Sequence, residues 1–310
     1  MFLSNMTIAA QQVVILYLLV AVGFAADRFG VFKQSTAKLS NDLLFYITTP
    51  VVVVQSFLKM EFSPETLGSL LKAFLCMAAT LAVGIALALP FFNKDEKNRA
   101  VFKYAVSYGN MGYMALPLCD AMLGSEGVFY CSTGVVAFNM ISFTHGVWLM
   151  TRGSDGKNKF EPKKLILNPG VISMLIGLVL FVSRVKLPVI ADSVLTNISN
   201  LNTPLAMIFL GTYIANTDLK SIFKDGRIFL TALLKLAVLP CVMFGAFKLI
   251  GLKGALITAC MISCSAPSAN NTVMFSAKYG KDTALASKIV AVSSLLSIIT
   301  IPVMIALSNV

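Results

Sequence analysis

The sequence predicts an all-α integral membrane protein with ten transmembrane helices, arranged as two inverted five-helix repeats over 1–155 and 156–310. Three observations predict it. Hydrophobic residues make up 57% of the 310 and charged residues only 13%, about half the charged share of a soluble domain, and mean hydropathy is +0.82. Ten stretches approach the roughly 20 apolar residues that a helix needs to cross a bilayer. Basic residues gather in alternate loops, the charge signature of a chain that threads a membrane repeatedly.

Span one, 8–27, has no Lys or Arg before it and no small-residue cleavage pattern, so it reads as a retained helix rather than a signal peptide. Span two, 40–58, carries the step Thr49-Pro50. Span three, 66–90, holds Lys72 near its Glu65 end, where a long side chain can snorkel to the headgroups. Span four, 101–121, is interrupted by SYGNMGYMALP at Ser107–Pro117. Span five, 127–150, contains Asn139 and the only histidine, His145. Span six, 167–184, opens at Asn168-Pro169, and span seven, 188–215, carries a second Thr-Pro step, Thr203-Pro204. Span eight, 228–250, contains Lys235, about 12 Å along a helix from Arg227. Span nine, 254–277, is interrupted by SCSAPSANNT at Ser263–Thr272, and span ten, 284–307, follows. The longest polar connection, Thr151 to Asn168, leaves no room for a separate soluble domain.

The loops after the odd-numbered spans carry 18 basic residues: Arg28, Lys33, Lys38; Lys94, Lys97, Arg99, Lys103; Arg152, Lys157, Lys159, Lys163, Lys164; Lys220, Lys224, Arg227; and Lys278, Lys281, Lys288. The other side has five: Lys59, Arg184, Lys186, Lys248 and Lys253. The basic side is expected in the cytoplasm, which puts both termini outside. This bias accounts for the net charge of +11, so no nucleic-acid partner is expected; the lipid bilayer is. The six cysteines fall in or beside apolar spans without a C-x-x-C and read as small buried hydrophobes.

An odd number of spans per repeat forces the second copy to enter from the opposite side. Traces of that duplication remain. Gly23 precedes Pro50 by 27 residues and Gly177 precedes Pro204 by 27. Lys72 precedes Asn110 by 38, and Lys235 precedes Asn271 by 36.

A paired interruption in matching halves is the sequence pointer to a transporter's binding site, because lipid cannot satisfy the backbone groups that the breaks release. The candidate substrate-binding residues are therefore Asn110, Tyr113, Pro117, Asn139, Lys235, Pro267, Asn270 and Asn271. Helix N-termini and amide donors suit a carboxylate, and Lys235 is placed to neutralise one. Exposed carbonyls with Ser265, Ser268 and Thr272 suit Na⁺ instead, so Na⁺ or H⁺ stays open as a coupling ion. No acidic residue lies at mid-bilayer. Asp120 is the nearest candidate for a carboxylate that reaches Asn271, as a cation-centred exchanger would need. There is no H-E-x-x-H, G-x-S-x-G, P-loop or dinucleotide turn, so neither an enzyme nor a nucleotide-driven pump is expected. A channel is the remaining alternative, separable by saturable counter-transport.

The chain resembles the auxin efflux carrier family, which includes plant PIN carriers and bacterial organic-anion permeases. The resemblance rests on GNMGYMALPL at Gly109–Leu118, Asn168-Pro169, PLAMIFLG at Pro204–Gly211, KLAVLP at Lys235–Pro240 and APSANN at Ala266–Asn271. At Lys235 the family pattern is often Arg. The resemblance implies a fold of the bile-acid/sodium-symporter type, with spans four and nine crossing at their broken centres near Pro117 and Pro267. It also implies a scaffold of spans 1, 2, 6 and 7 and a moving unit of spans 3–5 and 8–10. The implied activity is secondary, elevator-like transport of small carboxylates such as malonate, malate or auxin-like acids across the plasma membrane. A homodimer through the scaffold helices fits the same fold.

Overall fold

The computed structural model describes residues 2–33, 36, 42–95, 97–152, 168–217 and 225–308. The loop residues Lys38, Lys157, Lys159, Lys163, Lys164, Lys220 and Lys224 lie outside them. The described chain is helical throughout: α1 Phe2–Arg28, α2 Leu44–Leu58, α3 Pro64–Ala88, α4 Arg99–Ser107, α5 Met111–Thr151 and α6 Pro169–Val182. The second half gives α7 Val189–Asn200, α8 Asn202–Ala215, α9 Gly226–Leu249, α10 Gly254–Ser265, α11 Asn271–Lys278 and α12 Thr283–Ser308. Five helices are long and apolar enough to cross a membrane, and α2, α6 and α10 are shorter apolar helices. Large apolar side chains lie open on their outer faces, among them Leu18 of α1, Leu71 of α3 and Val179 of α6. In water such faces would mark docking surfaces; on a membrane-spanning bundle they meet lipid.

Prolines shape the helices. Wide i→i+5 turns occupy Leu44–Thr48, Met111–Ala115 and Leu234–Val238, each ending two residues before a proline: Pro50, Pro117 and Pro240. Proline lacks an N–H and its ring clashes with the preceding turn, so the ladder widens rather than breaks. One expectation changes for this reason. Pro117 sits inside continuous helix, and the interruption in span four falls earlier, at Tyr108–Asn110. Spans four and five both lie in α5 and part at Gly124, whose φ of 60° and ψ of −147° break the helix between them and suit glycine. Span seven, in turn, divides at Leu201 into α7 and α8.

The helix faces pack through small residues. A Cβ on Gly23 of α1 would fall 2.1 Å from the Ile208 carbonyl oxygen of α8, and one on Gly211 would fall 2.0 Å from the Val20 oxygen. Backbone meets backbone there, as in small-residue membrane interfaces. Gly177 of α6 makes room for the Phe57 ring, which meets Phe129 edge-on at 4.7 Å. The two Thr-Pro steps lie side by side, since the Thr48 and Thr49 hydroxyls donate to Asn202 Oδ1 at 3.0 and 2.9 Å. Helix starts are capped where the sequence supplies a cap: Ser63 Oγ accepts from Thr66 N at 3.1 Å, and Asn168 Oδ1 from Gly170 N at 2.9 Å.

Candidate functional site

Helical structure stops at Tyr108–Asn110 and again after Ser265, and the two stopped segments lie against each other. The Asn110 N–H donates to the Pro267 carbonyl at 2.7 Å, and the Ala269 N–H donates to the Tyr108 carbonyl at 3.0 Å. Gly109 and Ser268 thus pair as an antiparallel bridge. Backbone groups freed by each break are satisfied by the other, which is what a bilayer interior demands. Ser268 reinforces the crossing: its hydroxyl donates to Ala105 O at 2.9 Å and its N–H donates to Ser293 Oγ at 3.1 Å.

The four helix ends at the crossing sort by polarity. α5 and α11 begin there, so their positive dipole ends meet at the centre. Each start has an asparagine at the capping position. Asn110 is only 3% exposed, and its Oδ1 accepts from Tyr113 N at 3.2 Å. Its Nδ2 has no partner among the described residues, and neither amide atom of Asn270 has one. α4 and α10 end at the crossing, which exposes carbonyls. Lys235, 1% exposed, donates to the Cys264 carbonyl at the end of α10 at 3.4 Å. A cation belongs at such an end.

A cavity of about 800 Å³ opens beside the crossing. Asn110, Tyr113, Asn139, Asn270 and Asn271 line it, and Pro117, Pro267 and Lys235 do not. Lys235 instead packs against Gly109, where a Cβ would come within 2.9 Å of its nitrogen. Asn139 donates through Nδ2 to Asn168 Oδ1 at 3.1 Å, so that donor is committed to the opening of α6. Ser265, Ser268 and Thr272 are fully buried and lie off the cavity wall. Asp120 is exposed, away from the cavity, and makes no hydrogen bond to Asn271. His145 Nδ1 lies 2.8 Å from the Tyr108 hydroxyl, behind the crossing.

Sequence reasoning missed most of the wall. Tyr46 and Phe45 of α2, Phe209 and Tyr213 of α8, and Phe138 and Phe143 of α5 give it an aromatic lining. Phe209 meets the Tyr113 ring at 5.9 Å. Among the described residues no lysine or arginine lines the cavity, and Asp42 is the one carboxylate that does. The described wall offers a ligand amide groups and helix dipoles for a polar end and aromatic faces for an apolar one.

Paired broken helices around a polar centre, inside an apolar helical bundle, define a multi-pass membrane protein of the transporter class. The chain belongs to the family described as membrane transport protein, which matches residues 8–305. An uncharacterized transporter of Methanocaldococcus jannaschii is 27% identical over 304 residues, covering 95% of this chain and 97% of the relative. The "Putative malonate transporter" of Rhizobium meliloti is 21% identical over 288 residues, covering 90% of this chain and 87% of the relative. The chain is a transporter and not an enzyme, and the resemblance to the auxin efflux carrier family holds over nearly its whole length.

Proposed function

We propose that the protein is a secondary carrier of small organic anions, of the malonate, malate or auxin-like carboxylate class, working by alternating access in the plasma membrane. The observation that carries this reading is the pair of capping asparagines, Asn110 and Asn270. Both residues line the cavity where two helix N-termini converge, and their amide nitrogens are buried with no partner among the described residues. A carboxylate supplies the acceptors those donors lack, and two positive dipole ends stabilise its charge. The name of the Rhizobium meliloti relative supports the substrate class.

The chain divides in this reading into inverted repeats, 1–155 and 156–310, with spans 1, 2, 6 and 7 as scaffold and spans 3–5 and 8–10 as the moving unit. Paired Thr-Pro steps in α2 and α8 and the antiparallel crossing support that division. Besides α5, the cavity wall comes from the start of α2, the start of α6, the end of α8 and the first half of α11. Those ends adjoin the basic loops, so under the orientation with both termini outside the cavity faces the cytoplasm. Lys235 supplies at the carbonyl ends the positive charge that a bound coupling cation would otherwise bring.

Counterflow of labelled malonate and of an aromatic monocarboxylate in proteoliposomes, with and without sodium, tests the reading. Saturable exchange that is lost in both Asn110→Ala and Asn270→Ala is expected. Flux intact in both variants would overturn the site.

A further inference from the structure

A second, smaller pocket of about 220 Å³ lies at the end of the bundle where the basic loops gather. Among the described residues, Arg99, Lys103, Arg152 and Lys281 line it together with Asn93, and no carboxylate does. These cations come from separate parts of the chain: the first half of span four, the end of α5, and the turn between α11 and α12. Described carboxylates near these residues in sequence, or bonded to one that is, have partners of their own. Asp95 and Asp225 both bond Arg227, at 2.5 and 2.7 Å, and Asp282 Oδ1 accepts from Leu285 N at 2.9 Å. Four like charges gathered with no described carboxylate in the wall repel one another, so an anion that enters gains from all four.

The side chains are held in place. Lys103 donates to Leu89 O at 3.0 Å and to Asn93 Oδ1 at 2.7 Å, which leaves its third N–H for a ligand. The Arg152 guanidinium lies over the Trp148 ring at 5.3 Å. Trp148 is the only tryptophan in the chain and is 54% exposed. An outward-facing tryptophan at a span end marks the level of the lipid headgroups. At that depth the abundant anion is a phosphate ester, and basic pockets between helix ends are built to hold one. Guanidinium groups favour the choice, because they grip phosphate oxygens in pairs.

We propose that Arg99, Lys103, Arg152 and Lys281 form a binding site for a phosphate-bearing anion at the cytoplasmic membrane surface, separate from the substrate cavity. Its occupant ties the ends of α4 and α5 to the turn before α12. The same chemistry has two sources, an anionic phospholipid headgroup or a free phosphate.

The test is thermal unfolding of the purified full chain in neutral detergent, titrated with short-chain phosphatidylglycerol, short-chain phosphatidylcholine or inorganic phosphate. Phosphatidylglycerol is expected to raise the midpoint of the wild type. Arg99→Gln/Arg152→Gln is expected to need about 30-fold more lipid, at roughly fivefold per charge near the surface. Lys281→Gln alone, the milder change, is expected to need about fivefold more. Lys248→Gln/Lys253→Gln, at the opposite end of the bundle, serves as control and should match the wild type. A shift with phosphatidylglycerol alone assigns the site to a headgroup; an equal shift with inorganic phosphate assigns it to the soluble ion. No shift with either, or a shift equal in wild type and in both pocket variants, overturns the proposal.

Discussion

The Lys235 ammonium donates to the Cys264 carbonyl at 3.4 Å, capping the end of α10 at the point where span nine stops being helical. It acts on the frame of the crossing rather than on the cavity, whose wall it does not join. Lys235→Met removes the cation at that carbonyl. A charged hydrogen bond is worth about 1.5–3 kcal/mol, so the variant is expected to unfold at a lower temperature and to lose most of its transport. Lys235→Arg keeps the charge and should retain part of both. Scanning fluorimetry alongside proteoliposome flux checks the pair, and wild-type behaviour of Lys235→Met would contradict this role.

Gly109 faces the same ammonium. A methyl group there would fall 2.9 Å from Lys235 Nζ and 3.3 Å from Ala266 O, one neighbour flexible and the other backbone. Gly109→Ala is therefore expected to displace the lysine and to cut transport by about tenfold, the effect of roughly 1.4 kcal/mol. Gly245→Ala, with nothing within 4 Å of the added carbon, is the matched control and should leave flux unchanged.

The two jobs of Asn110 can be separated. Its oxygen caps Tyr113 N at 3.2 Å, while its amide nitrogen has no partner. Asn110→Asp preserves the cap, removes the donor and adds a negative charge. Near-normal stability with transport lost is the expected outcome. Asn110→Ala should lose stability as well, by about 1 kcal/mol for the missing cap. Equal flux in Asn110→Asp and wild type would show that the amide does not meet the substrate.

The α1–α8 seam sets a limit on size. With ideal Cβ positions 2.1 and 2.0 Å from carbonyl oxygens at Gly23 and Gly211, even alanine must push two backbones apart. Overpacking of this kind costs about 1–3 kcal/mol. Gly23→Ala and Gly211→Ala should each lower the unfolding midpoint, and the double variant should fold poorly. Detergent extraction followed by gel filtration reads the outcome.

Apolar runs near bilayer length made the helices legible in the sequence, and Pro, Gly and Asn inside spans four and nine made the breaks legible. The side chains that build the cavity were harder to read. Tyr46, Phe209 and Tyr213 line it, yet an aromatic residue in an apolar span looks the same whether it faces lipid or a ligand. Lys235 was recognised as buried charge, but its partner is a main-chain carbonyl, which has no sequence signal. Pro117 misled for a physical reason. A proline marks a ladder that must adjust, and here the wide turn at Met111–Ala115 adjusts while the break falls at Tyr108–Asn110.

The staple at the molecule's centre is made of main chain, Asn110 N–H to Pro267 carbonyl and Ala269 N–H to Tyr108 carbonyl. Mutation rewrites side chains and leaves peptide groups where they are. Cargo preference can therefore drift, one neighbouring residue at a time, without the two segments at the heart of the transporter ever letting go.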